Sequence, residues 1–302
     1  MVTVIEGDFV VLYGNYENIY LIYSIEKGAI VNNRYGSFHH DDIIGVQYGG
    51  KVEARTKQGT AKGFLHVLKP NPELLTASLM HRTQIIYTAD ISTIITGLEV
   101  CPGKTLIEAG TGSGSLSAAF EAALQPSGRL YTFEFNADRK PQTDLLFQHL
   151  GLLNKTVFTE QRDVIASGFP ESLDSSADCL FLDLPAPWSV VQAARRALKE
   201  GGRLCLFSPC IEQVTKNCHA LTAHHFKDVR TFEVLLKPWG LRDTGKRKRS
   251  AGEMEERQFH SCQLPMRGHT AYLTFGRKSL EDESSQTQMT VSVGKILKMK
   301  RD

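Results

Sequence analysis

The stretch KTLIEAGTGSGSLS, Lys104 to Ser117, decides the fold. Thr105 to Ile107 read as a short strand, since β-branched and apolar residues favour the pleated backbone. Glu108 follows, then the alternating glycines Gly110, Gly112 and Gly114, then small residues that open a helix. A glycine has no Cβ, so the chain can turn sharply there and bring its backbone close to a ligand. The first N–H groups of the following helix then face that ligand without partners of their own. A second apolar run ends in Glu134, 20 residues after Gly114.

The glycine spacing separates two nucleotide readings. A dinucleotide fingerprint is G-x-G-x-x-G with an acid about 20 residues on that holds the ribose. Here an acid precedes a tighter G-x-G-x-G, which is similar to the S-adenosylmethionine loop of the Rossmann-like methyltransferases. Glu134 suits either cofactor, because both carry a ribose diol from which a carboxylate can accept. An NAD-dependent oxidoreductase is disfavoured by the spacing. A purely structural strand-to-helix turn is disfavoured by the flanking strand, helix and acid.

The 302 residues suffice for one large domain or two. Hydrophobic residues make up 41% and charged residues 23%, an ordinary soluble composition with enough apolar side chains for a sizeable core. No apolar run approaches the roughly 18 residues that span a bilayer, so no membrane partner is expected. The start, MVTVIEGDF, lacks the basic and long apolar regions of a secretory signal. Cys101, Cys179, Cys205, Cys210, Cys218 and Cys262 form no C-x-x-C pair, so no metal site is expected, and their scatter suits a reducing compartment. A net charge of +2 is too small to announce a polyanion partner. Nucleic-acid binding would need local patches or a partner subunit.

Residues 1–70 read as a small β-rich domain. Phe9 to Leu12, Ile19 to Ile25, Ala29 to Val31 and Gly63 to Val67 are strand-like runs separated by turn residues. His39 and His40, beside Asp41 and Asp42, lack metal-ligand spacing and read as solvated loop residues. Two prolines in Lys69-Pro70-Asn71-Pro72 break regular structure, so the second domain is expected to span 71–278. A helix is expected from Thr76 through Thr96. From Gly103 strands and helices alternate, with strands ending near Glu108, Glu134, Asp163 and Asp183, and a helix from Val190 stopped by Gly201-Gly202. Further strands are expected at Arg203 to Phe207, Val229 to Leu236 and Ala271 to Phe275. Such alternation predicts a mostly parallel, seven-stranded α/β sheet, and ligands bind such sheets beyond the carboxyl ends of the strands. A polar insert at 237–269 carries Lys246-Arg247-Lys248-Arg249, which reads as a solvated run, a phosphate contact or a nuclear import signal. The tail, 279–302, is polar, then basic.

Several blocks carry a family resemblance: HRTQIIY at His81 to Tyr87, EAGTGSGS at Glu108 to Ser115, FEF at Phe133 to Phe135 and RDV at Arg162 to Val164. FLDLPAPW at Phe181 to Trp188, FSPCIEQV at Phe207 to Val214 and GHTAYLTF at Gly268 to Phe275 complete the set. Together these closely resemble the catalytic subunits of the eukaryotic tRNA (adenine(58)-N(1))-methyltransferases. The resemblance implies a Rossmann-like class I methyltransferase fold, S-adenosyl-L-methionine as cofactor, tRNA as substrate and a nuclear location. It also implies a heterotetramer of two plus two with a non-catalytic paralogous subunit.

Site roles follow from the same resemblance. Ala109, Gly110, Thr111, Gly112, Ser113, Gly114, Ser115 and Leu116 would surround the methionine moiety, with Glu108 at the strand end. Glu134 would accept both ribose hydroxyls, with Arg139 beside it. Asp163 would bond the adenine amino group and Val164 would offer its N–H. Gln84, Ile86 and Tyr87 would close the cleft. Asp183 would border the cofactor and face the target base as the catalytic residue. The alternative is a non-catalytic, RNA-binding paralogue, but such a chain would have lost the glycines or the acid of D-x-P-x-P-W, and both are intact.

Overall fold

A computed structural model of the chain describes residues 2–15, 17–55, 63–79, 86–235, 239–243, 247–248, 254–255, 258–262 and 271–279. The amino-terminal part contains strands β1 (Val10–Asn15), β2 (Asn18–Ile22), β3 (Ile30–Asn33) and β4 (Gly36–His39), a short helix α1 (His40–Ile43), then β5 (Lys51–Glu53) and β6 (Phe64–Leu68). Four of these strands form an antiparallel sheet ordered β2-β1-β6-β5, and β3 and β4 make a separate hairpin. Val10, Leu12, Ile25, Phe38, Ile43, Leu65 and Val67 form its buried core. Strands β4 and β5 escape the sequence reading because GSFH and KVE are too short and too polar to show a period. His40 is a correction: it is buried, and its Nδ1 accepts the Glu26 N–H at 3.0 Å. Its neighbours Ile43 and Phe38 go into the core and carry the imidazole inward.

The remaining chain runs through α2 (Pro72–Ser78), α3 (Thr88–Gly97), β7 (Thr105–Ala109), α4 (Ser115–Leu124), β8 (Arg129–Glu134), α5 (Lys140–His149), β9 (Val157–Gln161) and α6 (Val164–Ser167). It continues with β10 (Ala177–Leu182), α7 (Val191–Ala197), β11 (Leu198–Ser208), α8 (Ile211–Ala223) and β12 (Phe226–Glu233). Within the insert lie β13 (Trp239–Asp243), β14 (Arg247–Lys248), β15 (Met254–Glu255) and β16 (Gln258–Cys262), and β17 (Tyr272–Lys278) closes the order. The basic run thus falls partly on β14, while Lys246 and Arg249 lie outside the described residues, as does the tail from 280.

The expected seven-stranded sheet is present, in the order β12-β17-β11-β10-β7-β8-β9. Its strands are parallel except β17, which pairs antiparallel with both β11 and β12. Alternate residues along each strand face opposite layers, so each strand feeds two cores. Leu106, Leu130, Phe181, Cys205 and Phe275 pack under α3 and α4. Ile107, Phe133, Leu180, Leu204 and Leu206 pack against Val164, Val191 and Leu221 on the other side.

Two expected elements differ. The single helix from Thr76 to Thr96 is two helices: α2 ends at Ser78, Leu79 is extended, and Tyr87 is extended again before α3. Thr76 and Ser78 hydroxyls bond back to carbonyls one turn earlier, a competition that weakens a helix end, and Leu79 turns inward onto Phe9, Leu75 and Leu146. Gly201-Gly202 does not stop a helix. The helix ends at Ala197, and Gly201, at φ +75°, sits inside β11 where the pairing with β10 shifts register. Among the described residues no helix is long and apolar enough to cross a membrane.

Phe120 on α4 is fully buried and meets Phe181 of β10 edge-on, with ring centroids 5.8 Å apart. Phe120→Ala is expected to cost about 3–5 kcal/mol, read as a shift in the equilibrium urea unfolding curve.

Candidate active site

The carboxyl ends of β7, β8 and β10 meet at the glycine turn. The Asp183 N–H donates to the Ala109 carbonyl at 2.9 Å, and the Gly110 N–H donates to the Phe133 carbonyl at 2.9 Å. A Cβ on Gly110 would lie 2.1 Å from the Asp183 carbonyl oxygen, and its φ is +98°. No side chain fits at that position, so glycine is what lets the turn lie against the end of β10. Gly114, at φ +79°, caps α4 without any side-chain bond, which leaves the first N–H groups of α4 for a ligand.

A cleft of about 440 Å³ opens here. Of the candidate residues, it is lined by Ile86, Gly110, Thr111, Gly112, Ser113, Ser115, Leu116, Glu134, Arg139 and Asp183. Phe135, Leu184 and Pro185 line it as well, and the sequence reading missed them as site residues. Their signal was membership of the FEF and FLDLPAPW blocks, just after the acids Glu134 and Asp183. Glu134 Oε2 accepts the Gly112 N–H and Oε1 the Asn136 N–H, each at 2.9 Å, and the Arg139 guanidinium stands 3.7 Å away. A carboxylate has about four acceptor positions, so two remain for a ligand.

Other candidates stand apart from the cleft wall. Glu108 is fully buried beneath the turn, because the strand period points it towards α4. Ala109 is buried in the sheet, and Gly114 packs on Thr143 and Leu146. Tyr87 is exposed at the amino end of α3. Asp163 accepts from the Ile165 and Ala166 N–H groups at 3.0 and 3.1 Å, and so caps α6, whose first residue is the buried Val164. The Arg162 N–H bonds the Glu134 carbonyl at 2.9 Å, which holds that loop beside the Glu134 end of the cleft. Gln84 lies outside the described residues. The Trp188 ring carries the Lys216 ammonium at 4.6 Å, at the turn that leads into α7.

The acids share one poorly solvated region. Burial pushes the Asp183 carboxyl from an ordinary 3.8 to about 6, with the Glu134 charge adding to the rise. Burial likewise lifts Glu108 to about 8, against hydrogen bonds from Ser117 and Thr132 that favour its ionised form. Groups poised near neutrality inside a cleft mark functional sites. The N–H groups of α4, the acceptor Glu134 and the glycine turn together fit a zwitterionic nucleoside.

Residues 63–264 match the family described as the tRNA methyltransferase complex GCD14 subunit. The chain belongs to this family. It is 37% identical to the tRNA (adenine(58)-N(1))-methyltransferase catalytic subunit of Eremothecium gossypii, over 96% of this chain and 81% of that protein. The subunit of that name from Dictyostelium discoideum is 38% identical over 78% of this chain and 75% of its own length. Among solved structures, an S-adenosylmethionine-dependent O-methyltransferase from Thermotoga maritima superposes with a TM-score of 0.74 at 26% identity, covering 93% of this chain and 96% of its own. The tRNA (m1A58) methyltransferase of Aquifex aeolicus shares the fold, with a TM-score of 0.68 at 24% identity over 93% of this chain and 100% of that one. The family membership expected from the sequence blocks is therefore borne out.

Two outcomes follow. Gly110→Ala must push the turn off β10, and S-adenosylhomocysteine affinity measured by calorimetric titration is expected to fall at least about tenfold, or about 1.4 kcal/mol. The folded protein holds the Asp183 proton more tightly than the unfolded chain does. This group therefore costs stability increasingly as pH rises from the ordinary 3.8 to about 6, and by a constant amount above that. Asp183→Asn is expected to melt above the wild type at pH ~8, with a smaller gap at pH ~5, in calorimetric scans.

Proposed function

We propose that this chain transfers a methyl group from S-adenosylmethionine to N1 of adenine 58 in the T-loop of tRNA, as the catalytic subunit of a two-subunit-type complex. The observation that carries this reading is Asp183 seated against the glycine turn, in a chain whose relatives are named for that reaction. Bound in the cleft, S-adenosylmethionine supplies a methyl group already activated on a sulfonium. The protein's tasks are then alignment and exclusion of water.

The first N–H groups of α4 hold the carboxylate of the methionine moiety. Glu134 accepts from the ribose hydroxyls through the lone pairs that Gly112 and Asn136 leave free. Asp163, at the neighbouring strand end, takes the adenine amino group. Ile86 and Leu116 give the cleft apolar wall. Adenine N1 has a free lone pair and needs no strong base. Methylation makes the base cationic, so Asp183 opposite the pairing edge accepts from the exocyclic amine and stabilises the charge as it develops. Pro185, whose ring fixes φ, holds the wall beside it.

N1 of a base in folded tRNA is engaged, so the target must be exposed before reaction. The amino-terminal β domain and a non-catalytic paralogous subunit open the tRNA elbow for it. The relatives' designation as catalytic subunits and the chain's net charge of +2 support a partner that supplies much of the tRNA surface. The assembly is two plus two and works in the nucleus, readings that rest on the family resemblance and, for location, on the basic run at 246–249.

Asp183→Ala is expected to keep S-adenosylhomocysteine binding and lose methyl transfer to tRNA roughly 10²–10³-fold, the usual scale for a removed charge-stabilising group. In the wild type the rate falls as pH drops through about 6, because a protonated Asp183 no longer stabilises the cationic base. A single-turnover assay of the complex across pH reads both, and near-normal turnover in the alanine variant would take Asp183 out of the mechanism.

A further inference from the structure

Beneath the glycine turn lies a chain of buried hydroxyls that the steps above leave unused. Glu108, Ser117 and Thr132 are fully buried and Thr111 nearly so. Glu108 and Thr132 are register partners on β7 and β8, so their side chains stand together on one face of the sheet. Ser117 comes down onto them from α4. Glu108 Oε2 accepts from the Ser117 hydroxyl at 2.5 Å and from the Thr132 hydroxyl at 2.7 Å. Glu108 Oε1 is buried and has no hydrogen-bond partner among the described residues.

The Thr132 and Thr111 hydroxyls are 2.6 Å apart. A threonine hydroxyl carries one proton and two lone pairs. Thr132 gives its proton to Glu108, so Thr111 must be the donor in the contact between the two threonines. The Thr111 proton therefore points into the protein, and its oxygen has a lone pair left for the cleft that Thr111 lines.

We propose that Glu108 is a positioning residue: acting through Thr132, it turns the Thr111 hydroxyl into an acceptor for the α-ammonium of the methionine moiety. This rests on reading the cleft as the S-adenosylmethionine site. The N–H groups of α4 match the ligand's carboxylate and Glu134 matches its ribose, so the ammonium at the same end still needs an acceptor. A third carboxylate in the cleft would serve, but it would stand beside Glu134 and Asp183 and raise the cost of keeping all three ionised. Working from below through two hydroxyls supplies the acceptor without that charge.

Calorimetric titration with S-adenosylhomocysteine and with its deaminated analogue, which lacks only the α-amine, tests the relay. Thr132→Val is expected to weaken S-adenosylhomocysteine about tenfold and the deaminated analogue less than about twofold. Thr132→Ser, which keeps the hydroxyl, restores affinity to within about twofold, and Glu108→Gln, whose carbonyl oxygen can accept from both hydroxyls, stays within about threefold. Glu108→Leu is expected to reproduce the selective loss of Thr132→Val, and the double variant to add little, because the two residues act in one chain. Equal losses for both ligands, or unchanged S-adenosylhomocysteine affinity in Thr132→Val, would overturn the relay while leaving the cleft's assignment intact. Failure of the wild type to bind S-adenosylhomocysteine would overturn both.

Discussion

The contact between the glycine turn and the end of β10 is the constraint on which the rest depends. Asp183 bonds Ala109 through its backbone, and its carbonyl occupies the space where a side chain on residue 110 would stand. This closeness puts a carboxylate from one strand directly beside the loop that follows another. It also fixes where α4 starts, since Gly114 turns the chain straight into the helix. The glycine turn and Asp183, which both line the cleft, are therefore placed by one backbone contact.

The electrostatics follow from that crowding. Glu108, Glu134 and Asp183 top neighbouring strands, where water is largely excluded and like charges oppose one another. Each acid is handled differently. Glu134 has backbone N–H groups and Arg139 around it. Glu108 is withdrawn below the surface among hydroxyls. Asp183 keeps its side chain on the cleft with a raised proton affinity. On the proposed reading, a cationic donor and a cationic methylated base both gain from the charges of Glu134 and Asp183, and the free protein is the less stable for ionising the buried Asp183.

Much of this was legible in the one-dimensional pattern, for identifiable reasons. Strands β7, β8 and β10 were readable because a buried parallel strand is a short, largely apolar run with turn residues at both ends. The break between α2 and α3 was not, because it depends on where Leu79 and Ile86 are buried, and apolar spacing alone continues smoothly across it. Gly201-Gly202 punctuates the chain in either reading, but only pairing with β10 shows that it interrupts a strand. His40 looked like a loop residue beside two aspartates, and only the folding of its neighbours into a core buries it.

Sequence alone determined the glycine turn, the acids at the strand ends, the alternation of elements and the family, because these depend on local spacing and residue type. Tertiary structure decided which acids reach the cleft. Glu108 and Glu134 are alike in sequence context, each an acid at the end of an apolar strand. Both side chains stand on the same face, since Glu134 follows two residues after Thr132, the register partner of Glu108. Glu108 is covered by α4, whereas Glu134 lies two register positions nearer the carboxyl ends and reaches the cleft.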